Sequence, residues 1–191
     1  MLKGTRCETA KCPVEKKQKN LKPGMHSWSR GRTSDYGVRL REKQKIKRYY
    51  GLFNDQFMGY FHKAERVKGN TGEILLQLLE RRLDNVVYKL NFAPSRKAAR
   101  LLVSHGHIYV NGHKINISDY TTNIGDKITV KKSDKSVKRV KEQLESNPNF
   151  TTQSWLQLDR EIPSAVVVAY PTRDDIQLPV EEQLVVEFCS R

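Results

Sequence analysis

Cysteine is scarce in this chain: Cys7, Cys12 and Cys189 are the only three in 191 residues. They are too few and too unevenly spaced for a disulfide framework, which points to a reducing compartment, the cytosol. No run of 18 apolar residues occurs, so no membrane-spanning helix is expected, and the stretch after Met1 lacks the pattern of a signal peptide. Aromatics contribute only 8%, and no Trp/Phe-rich amphipathic face accompanies the charged segments, so a membrane surface is a poor partner. Acidic residues are sparse until the end of the chain. Residues 1–140 carry 31 Lys or Arg against 12 Asp or Glu, a surplus of +19, whereas 141–191 carry 4 against 9, a deficit of −5. A cationic surface of this extent suits a polyanion, nucleic acid before membrane, and the inverted tail suits a protein. The 37% apolar content supports a modest core, in one large or two small domains.

Residues 1–33 are rich in Lys, Gly, Pro and Ser without apolar periodicity and read as an irregular basic arm that orders against a partner. Ser34 can cap a helix from Asp35 to about Tyr50, Gly51 interrupts, and a second helix runs from about Leu52 to Val67. Asn70 with Glu73 opens a third in the manner of a capping box. Leu75, Leu78, Leu79, Leu83, Val86, Val87 and Leu90 continue at steps of three and four, which predicts one long core helix up to Leu90. Ser95 is a natural N-cap for a short helix that sets Ala98, Leu101, Leu102 and His105 on one face and Arg96, Lys97 and Arg100 on the other. Gly106 stops it, Ile108–Val110 forms a strand, Asn111-Gly112 makes a tight hairpin turn, and the strand bearing Lys114 returns. A turn at Gly125-Asp126 launches Lys127 to Lys132. Ser136 to Leu144 reads as a helix, Asn147-Pro148-Asn149 as a loop, Ala165 to Ala169 as a buried strand, and Asp174-Asp175 as an exposed acidic turn. Because 146–191 cannot bury a core alone, it is expected to pack on the helices of 34–80, leaving 81–145 as an inserted module. The fold class is therefore α+β: a mainly helical domain, 34–80 with 146–191, carrying an inserted small α/β-hairpin domain whose basic helix and hairpin are expected to bind RNA.

Charge on the first helix is dense. Arg39, Lys43 and Lys47 form one row and Arg41, Lys45 and Arg48 another on the opposite side. Six cations with one anion in ten residues repel one another, and a phosphate-lined environment relieves that repulsion. Arg96, Lys97 and Arg100 make a second, rigid platform. Cys7 and Cys12 can supply half of a zinc site at most, with His26 the nearest spare ligand. His105, His107 and His113 alternate along a strand-like segment without a carboxylate and read as packing or phosphate contacts. Arg82-Leu83-Asp84 matches the catalytic tripeptide of pseudouridine synthases, yet inside a helix it reads as a solvated ion pair. No catalytic triad, phosphate-cradling glycine loop or paired carboxylates in an apolar pocket is present, so an enzyme is not expected.

Five motifs in order, Ser34-Asp-Tyr-Gly, Leu40-Arg-Glu-Lys-Gln-Lys, Lys68-Gly-Asn-Thr-Gly-Glu, Leu78-Leu-Glu-Arg-Arg-Leu-Asp-Asn-Val-Val-Tyr and Glu182-Gln-Leu-Val-Val-Glu-Phe-Cys-Ser-Arg, resemble the bacterial small-subunit ribosomal protein of the S-four family over nearly the whole chain. The resemblance implies a primary binder of 16S rRNA that nucleates assembly of the 5′ domain; the cationic surface read from the residues supports that role, with Arg39, Arg41, Lys43, Lys45, Lys47, Arg48, Arg81, Arg82, Arg96, Lys97, Arg100 and Lys114 as the expected contact set. It further implies that Arg30 and Arg32 lie at the mRNA entry path, where Ser29 replaces a cation of relatives. A C-terminal tail facing the S-five family member, at an interface that affects decoding accuracy, is implied as well. Members with zinc carry two more cysteines upstream of the pair matching Cys7 and Cys12, so zinc is expected only with such a pair. Two readings compete: a stand-alone RNA-binding factor and an RNA-modifying enzyme, each built on the same RNA-binding domain.

Overall fold

A computed structural model describes residues 34–147, 150–176 and 178–190, together with Gly4, Cys7, Thr9, Ala10, Cys12 and Met25. Arg30, Arg32, His26 and the Pro148-Asn149 loop lie outside the described residues. Among those described, seven helices and five strands make an α+β fold.

Three helices begin the ordered chain. Helix α1 (Asp35–Tyr50) is capped by Ser34, whose side chain accepts from the Gly37 amide, and ends at Gly51 with φ +67°. Helix α2 (Asn54–Glu65) has Phe53 as its N-cap with no side-chain hydrogen bond to the helix. Helix α3 (Thr71–Glu80) is capped by Asn70, which accepts from the Gly72 amide; its side-chain amide donates to Glu73 at 2.9 Å, a side-chain contact in place of the backbone bond of the anticipated box. These helices bury Ile46, Phe57, Phe61, Leu75, Leu76 and Leu79, and the end of the chain completes their core with Ile176, Leu178, Val180 and α7 (Glu182–Cys189).

The long helix expected to continue to Leu90 is two helices. Arg82 is extended (φ −63°, ψ 136°) and serves as the N-cap of α4 (Leu83–Lys89). Residues 81–83 pair with the loop beyond the hairpin: Thr122 donates to the Arg81 carbonyl (2.9 Å), Leu83 donates to the Tyr120 carbonyl (2.8 Å), and Arg82 bridges Thr121. Asn85 turns back and donates to the Glu80 carbonyl at 3.0 Å, satisfying an acceptor that the break would strand. Apolar spacing did not reveal the break because both halves keep buried leucines and valines at steps of three and four.

Helix α5 (Arg96–Ser104) is capped by Ser95, which accepts from the Ala98 amide. Its buried face is Ala99, Leu102 and Val103; Leu101 is 57% exposed, so the expected stripe through Leu101 and His105 is rotated. Strands β1 (Ile108–Val110) and β2 (His113–Ile115) form the hairpin, with Asn111 at φ +50° and Gly112 at φ +82° as its turn requires. Strand β3 (Lys127–Val130) pairs with β1, and β5 (Ser164–Val167) and β4 (Leu156–Asp159) extend the sheet to the order β2-β1-β3-β5-β4, antiparallel throughout. Helix α6 (Asp134–Ser146) packs on it through Val140 and Leu144.

The tail therefore divides instead of packing whole on the helices of 34–80. Residues 155–167, including the fully buried Trp155, join the sheet's core, and only the part from Ile176 onward joins the helical core. The physical reason is the free edge of β3, which the two-stranded hairpin leaves unpaired and which β5 covers. The crossing between cores is tied at Asp175, which is not the freely solvated residue expected. Its carboxylate accepts from the Thr172 amide (2.9 Å), the Thr172 hydroxyl (2.8 Å) and the Ser154 hydroxyl (2.7 Å).

Burial alone would raise the Asp175 pKa, but these hydrogen bonds outweigh it and hold the group below the usual carboxylate range. With a folded value below the unfolded one of about 3.9, its stabilisation is complete above about pH 4 and is lost as pH falls through the folded value. Asp175→Asn is accordingly expected to lower the melting temperature at pH 7 and to approach the parent at pH 3. Equal melting temperatures at pH 7 would contradict the assignment.

Gly106 closes α5 at φ +69°, and a Cβ there would strike the Lys114 side chain. Gly106→Ala is expected to cost about 1–2 kcal/mol from the left-handed backbone, read as a lower denaturation midpoint with an unchanged m value.

Candidate nucleic-acid interface

The twelve cations expected to meet RNA fall into three groups: two buried, three partly exposed but engaged with the protein, and seven that face water. Lys43 and Arg82 are buried, so the expectation that they contact RNA is corrected. Lys43 is 9% exposed; its ammonium lies 3.5 Å from the Met58 sulfur, 5.6 Å from the Phe57 ring centroid and 5.2 Å from that of Phe188. The row it shares with Arg39 faces α7, where the Arg39 Nε meets Glu187 at 2.8 Å. A protein face thus flanks two members of that row, Arg39 and Lys43, and leaves Lys47 outside it.

Arg82 is fully buried, and the solvated pair expected of Arg82 and Asp84 is an interior one. The guanidinium donates through Nε to Asp84 Oδ1 (3.1 Å) and through Nη2 to Asp84 Oδ2 (2.8 Å). Nη1 reaches the Tyr60 hydroxyl (3.3 Å) and the Asp119 carboxylate. Burial would pull the Arg82 pKa down, yet the bonds to Asp84 outweigh it and raise it; burial likewise raises that of Tyr60. The network ties α2 of the helical core to α4 and the β2–β3 loop.

Two further arginines are partly exposed but already engaged. Arg81 donates to the Thr122 carbonyl (2.9 Å) and Asn123 (2.7 Å) and lies 4.1 Å from the Tyr170 ring centroid. Arg96 sits 3.8 Å from the Tyr49 centroid and 4.5 Å from that of Tyr88, with Nε on Asn85 Oδ1 at 2.8 Å. It binds α5 to α1 and α4.

The remaining cations face water: Arg41, Lys45, Arg48, Lys97 and Lys114 are exposed, and Lys47 and Arg100 half-exposed. Lys45 pairs with Glu42. Four of the seven converge where α1 ends. Lys47, Arg48 and Lys97 surround a hollow of about 500 Å³ with Gly51 and Phe53. Arg48, Lys97 and Arg100 line an adjoining cleft of about 180 Å³ floored by Tyr49, Tyr50 and Asp84. Arg100 Nη1 donates to the Gly51 carbonyl at 3.2 Å, a favourable place for a cation at a helix C-terminus. This cleft joins the two cores, and its charge comes from α1 and α5 together.

Phe53 and Gly51 were not anticipated as parts of this site. No sequence signal marked Phe53, because the second helix was expected from about Leu52 and begins only at Asn54, which leaves Phe53 at its N-cap, where Ser, Thr, Asp or Asn is favoured.

The histidines hold no shared ion-binding geometry. His105 and His107 rings stand 6.3 Å apart, and His107 Nδ1 meets Ser136 Oγ at 3.0 Å. Cys12 is buried and Cys7 half-buried, and Cys189 packs in the helical core. Among the described residues no group of three or more His, Cys, Asp or Glu is placed to hold a metal. A closed four-ligand zinc site does not fit those residues. No helix among them is long and apolar enough to cross a membrane.

Sequence comparisons agree with this architecture. Residues 1–80 match the family model described as ribosomal protein S4/S9 N-terminal domain, and residues 81–128 match that of the S4 domain. Fold and site thus define a ribosomal-type RNA-binding protein built around an S4 domain. The small ribosomal subunit protein uS4 of Halothermothrix orenii is 51% identical over 190 residues, covering 100% of this chain and 90% of the relative. Those of Trichlorobacter lovleyi, at 49%, and Symbiobacterium thermophilum, named uS4A, at 50%, cover the same shares. The chain belongs to the uS4 family of small ribosomal subunit proteins, which are structural proteins and not enzymes.

Proposed function

We propose that this protein binds 16S rRNA as a primary component of the small subunit and nucleates assembly of the 5′ domain. The observation that carries the reading is the meeting of Lys47, Arg48, Lys97 and Arg100 around two adjoining hollows, with charge drawn from two separately packed cores. Folded RNA is recognised through phosphates and shape, which calls for a broad, rigid cationic surface. Ser95 capping and the Arg96 stack fix α5 against α1, so these charges are held in place before RNA arrives. Arg41, Lys45 and Lys114 extend the contact set, and partly exposed Arg39, Arg81 and Arg96 support it from behind. Arg30 and Arg32 serve the mRNA entry path in this reading. Helix α7 and its N-cap residue, with Glu181, Gln183 and Glu187 exposed, meet the S-five family neighbour and through it influence accuracy.

The test is binding of the purified chain to a 5′-domain 16S rRNA fragment in excess bulk tRNA between 50 and 200 mM salt. Selective binding that falls by ~10³-fold or more over that range is the expected result, corresponding to at least ~6 phosphate contacts. Complete competition by tRNA at every salt would reject the reading in favour of a general RNA-binding factor.

A further inference from the structure

The rim of the cationic cleft carries a side chain that neither folding nor charge accounts for. Phe53 is 75% exposed at the N-cap of α2, where it makes no capping hydrogen bond. That position ordinarily holds a short polar side chain that satisfies an amide of the first turn, so phenylalanine there gives up a cap and exposes a ring to water. Its neighbours are Lys47, Arg48, Gly51 and Lys97 in one hollow, and Arg48, Lys97 and Arg100 in the other. Tyr36, by comparison, is also exposed yet packs its ring 5.3 Å from Phe188.

We infer that Phe53 is a stacking platform for one unpaired base of the bound RNA, whose flanking phosphates are held by Arg48, Lys97 and Arg100. This rests on the proposed RNA-binding role. An exposed aromatic ringed by cations is the arrangement that holds an unstacked nucleotide: the ring takes the base's π-face without regard to sequence, while the cations take the backbone. Gly51 lacks a side chain at the shared wall of both hollows, and a Cβ there would meet nothing within 4 Å, so the approach beside the ring is open. A helical RNA stem alone offers no free base face, so the platform selects a junction, bulge or loop.

The experiment compares the parent with Phe53→Ala, Phe53→Leu and Phe53→Trp in full-length form, using the same 5′-domain rRNA fragment with tRNA competitor over a salt series. Phe53→Ala and Phe53→Leu are expected to lose ~5- to 100-fold in affinity with the salt slope unchanged, because a stacking contact releases no counterions. Phe53→Trp is expected to retain parental affinity. Melting temperatures matching the parent would establish that the losses are not unfolding; a cooperative melt well below it would show that Phe53 serves the fold and would overturn the assignment. Affinity within twofold of the parent for Phe53→Ala, or full retention by Phe53→Leu, would also overturn it while leaving the RNA-binding role standing. If the parent itself is displaced by tRNA at every salt, that role fails and the platform with it.

Discussion

Replacing Arg82 with alanine is expected to lower the unfolding free energy by about 3–5 kcal/mol and the melting temperature by roughly 6–20 °C. The effect is large because the two carboxylates left behind differ in their access to water. The Asp119 side chain is 43% exposed and can rehydrate, but that of Asp84 is 7% exposed and loses a bidentate partner. A buried carboxylate without its cation bears most of its desolvation cost, whereas the intact pair roughly breaks even. Replacing both members, Arg82→Met with Asp84→Leu, is therefore expected to recover much of the loss. Chemical denaturation of the single and double variants checks this; a single variant within 1 kcal/mol of the parent would mean that the guanidinium is dispensable to the interior.

A second large effect is expected from neutralising Arg48, Lys97 and Arg100 together as glutamines. Each phosphate contact contributes about 0.9 to the slope of log affinity against log salt, so three lost contacts lower the slope by about 2.7. Counterion release vanishes toward molar salt, so at 0.1 M the same change amounts to ~500-fold weaker rRNA binding. Arg96 is left out because its guanidinium lies between Tyr49 and Tyr88, where substitution would loosen α5 and confound the reading. The triple variant should melt only slightly below the parent, since the Lys97 and Arg48 side chains are exposed and half-exposed Arg100 gives up one bond, to the Gly51 carbonyl. An unchanged slope would place the phosphates elsewhere on the protein.

Local signals foretold local structure well. Ser34, Asn70 and Ser95 cap as their hydrogen-bonding chemistry directs, and Asn111-Gly112 turns the hairpin as its positive φ angles allow. The break at Arg82 was hidden, because it is imposed by a non-local bridge to Thr121 and by Asp119, 37 residues on. Strand β4 was also missed, although Leu156-Gln157-Leu158-Asp159 alternates inward and outward; four residues are too short a run to outweigh its polar surroundings. At the site, a count of cations could not separate Lys43 and Arg82 from Arg48 and Lys97. Which charges are free is decided by which helix faces meet α7 and α4, a tertiary matter that helical periodicity does not encode.

Both cores take their closing pieces from the final quarter of the chain: Trp155 and strands β4 and β5 for the sheet, Ile176 to Cys189 for the helices. A polypeptide emerging from its own synthesis consequently holds two unfinished interiors at once, with the edge of β3 and the α7-facing side of α1 waiting for residues not yet made. The sheet's closing residues, up to Val167, precede those of the helices, from Ile176 on, so a product stopped before Trp155 leaves both interiors open, and one stopped between Val167 and Ile176 leaves the helical one open to proteases.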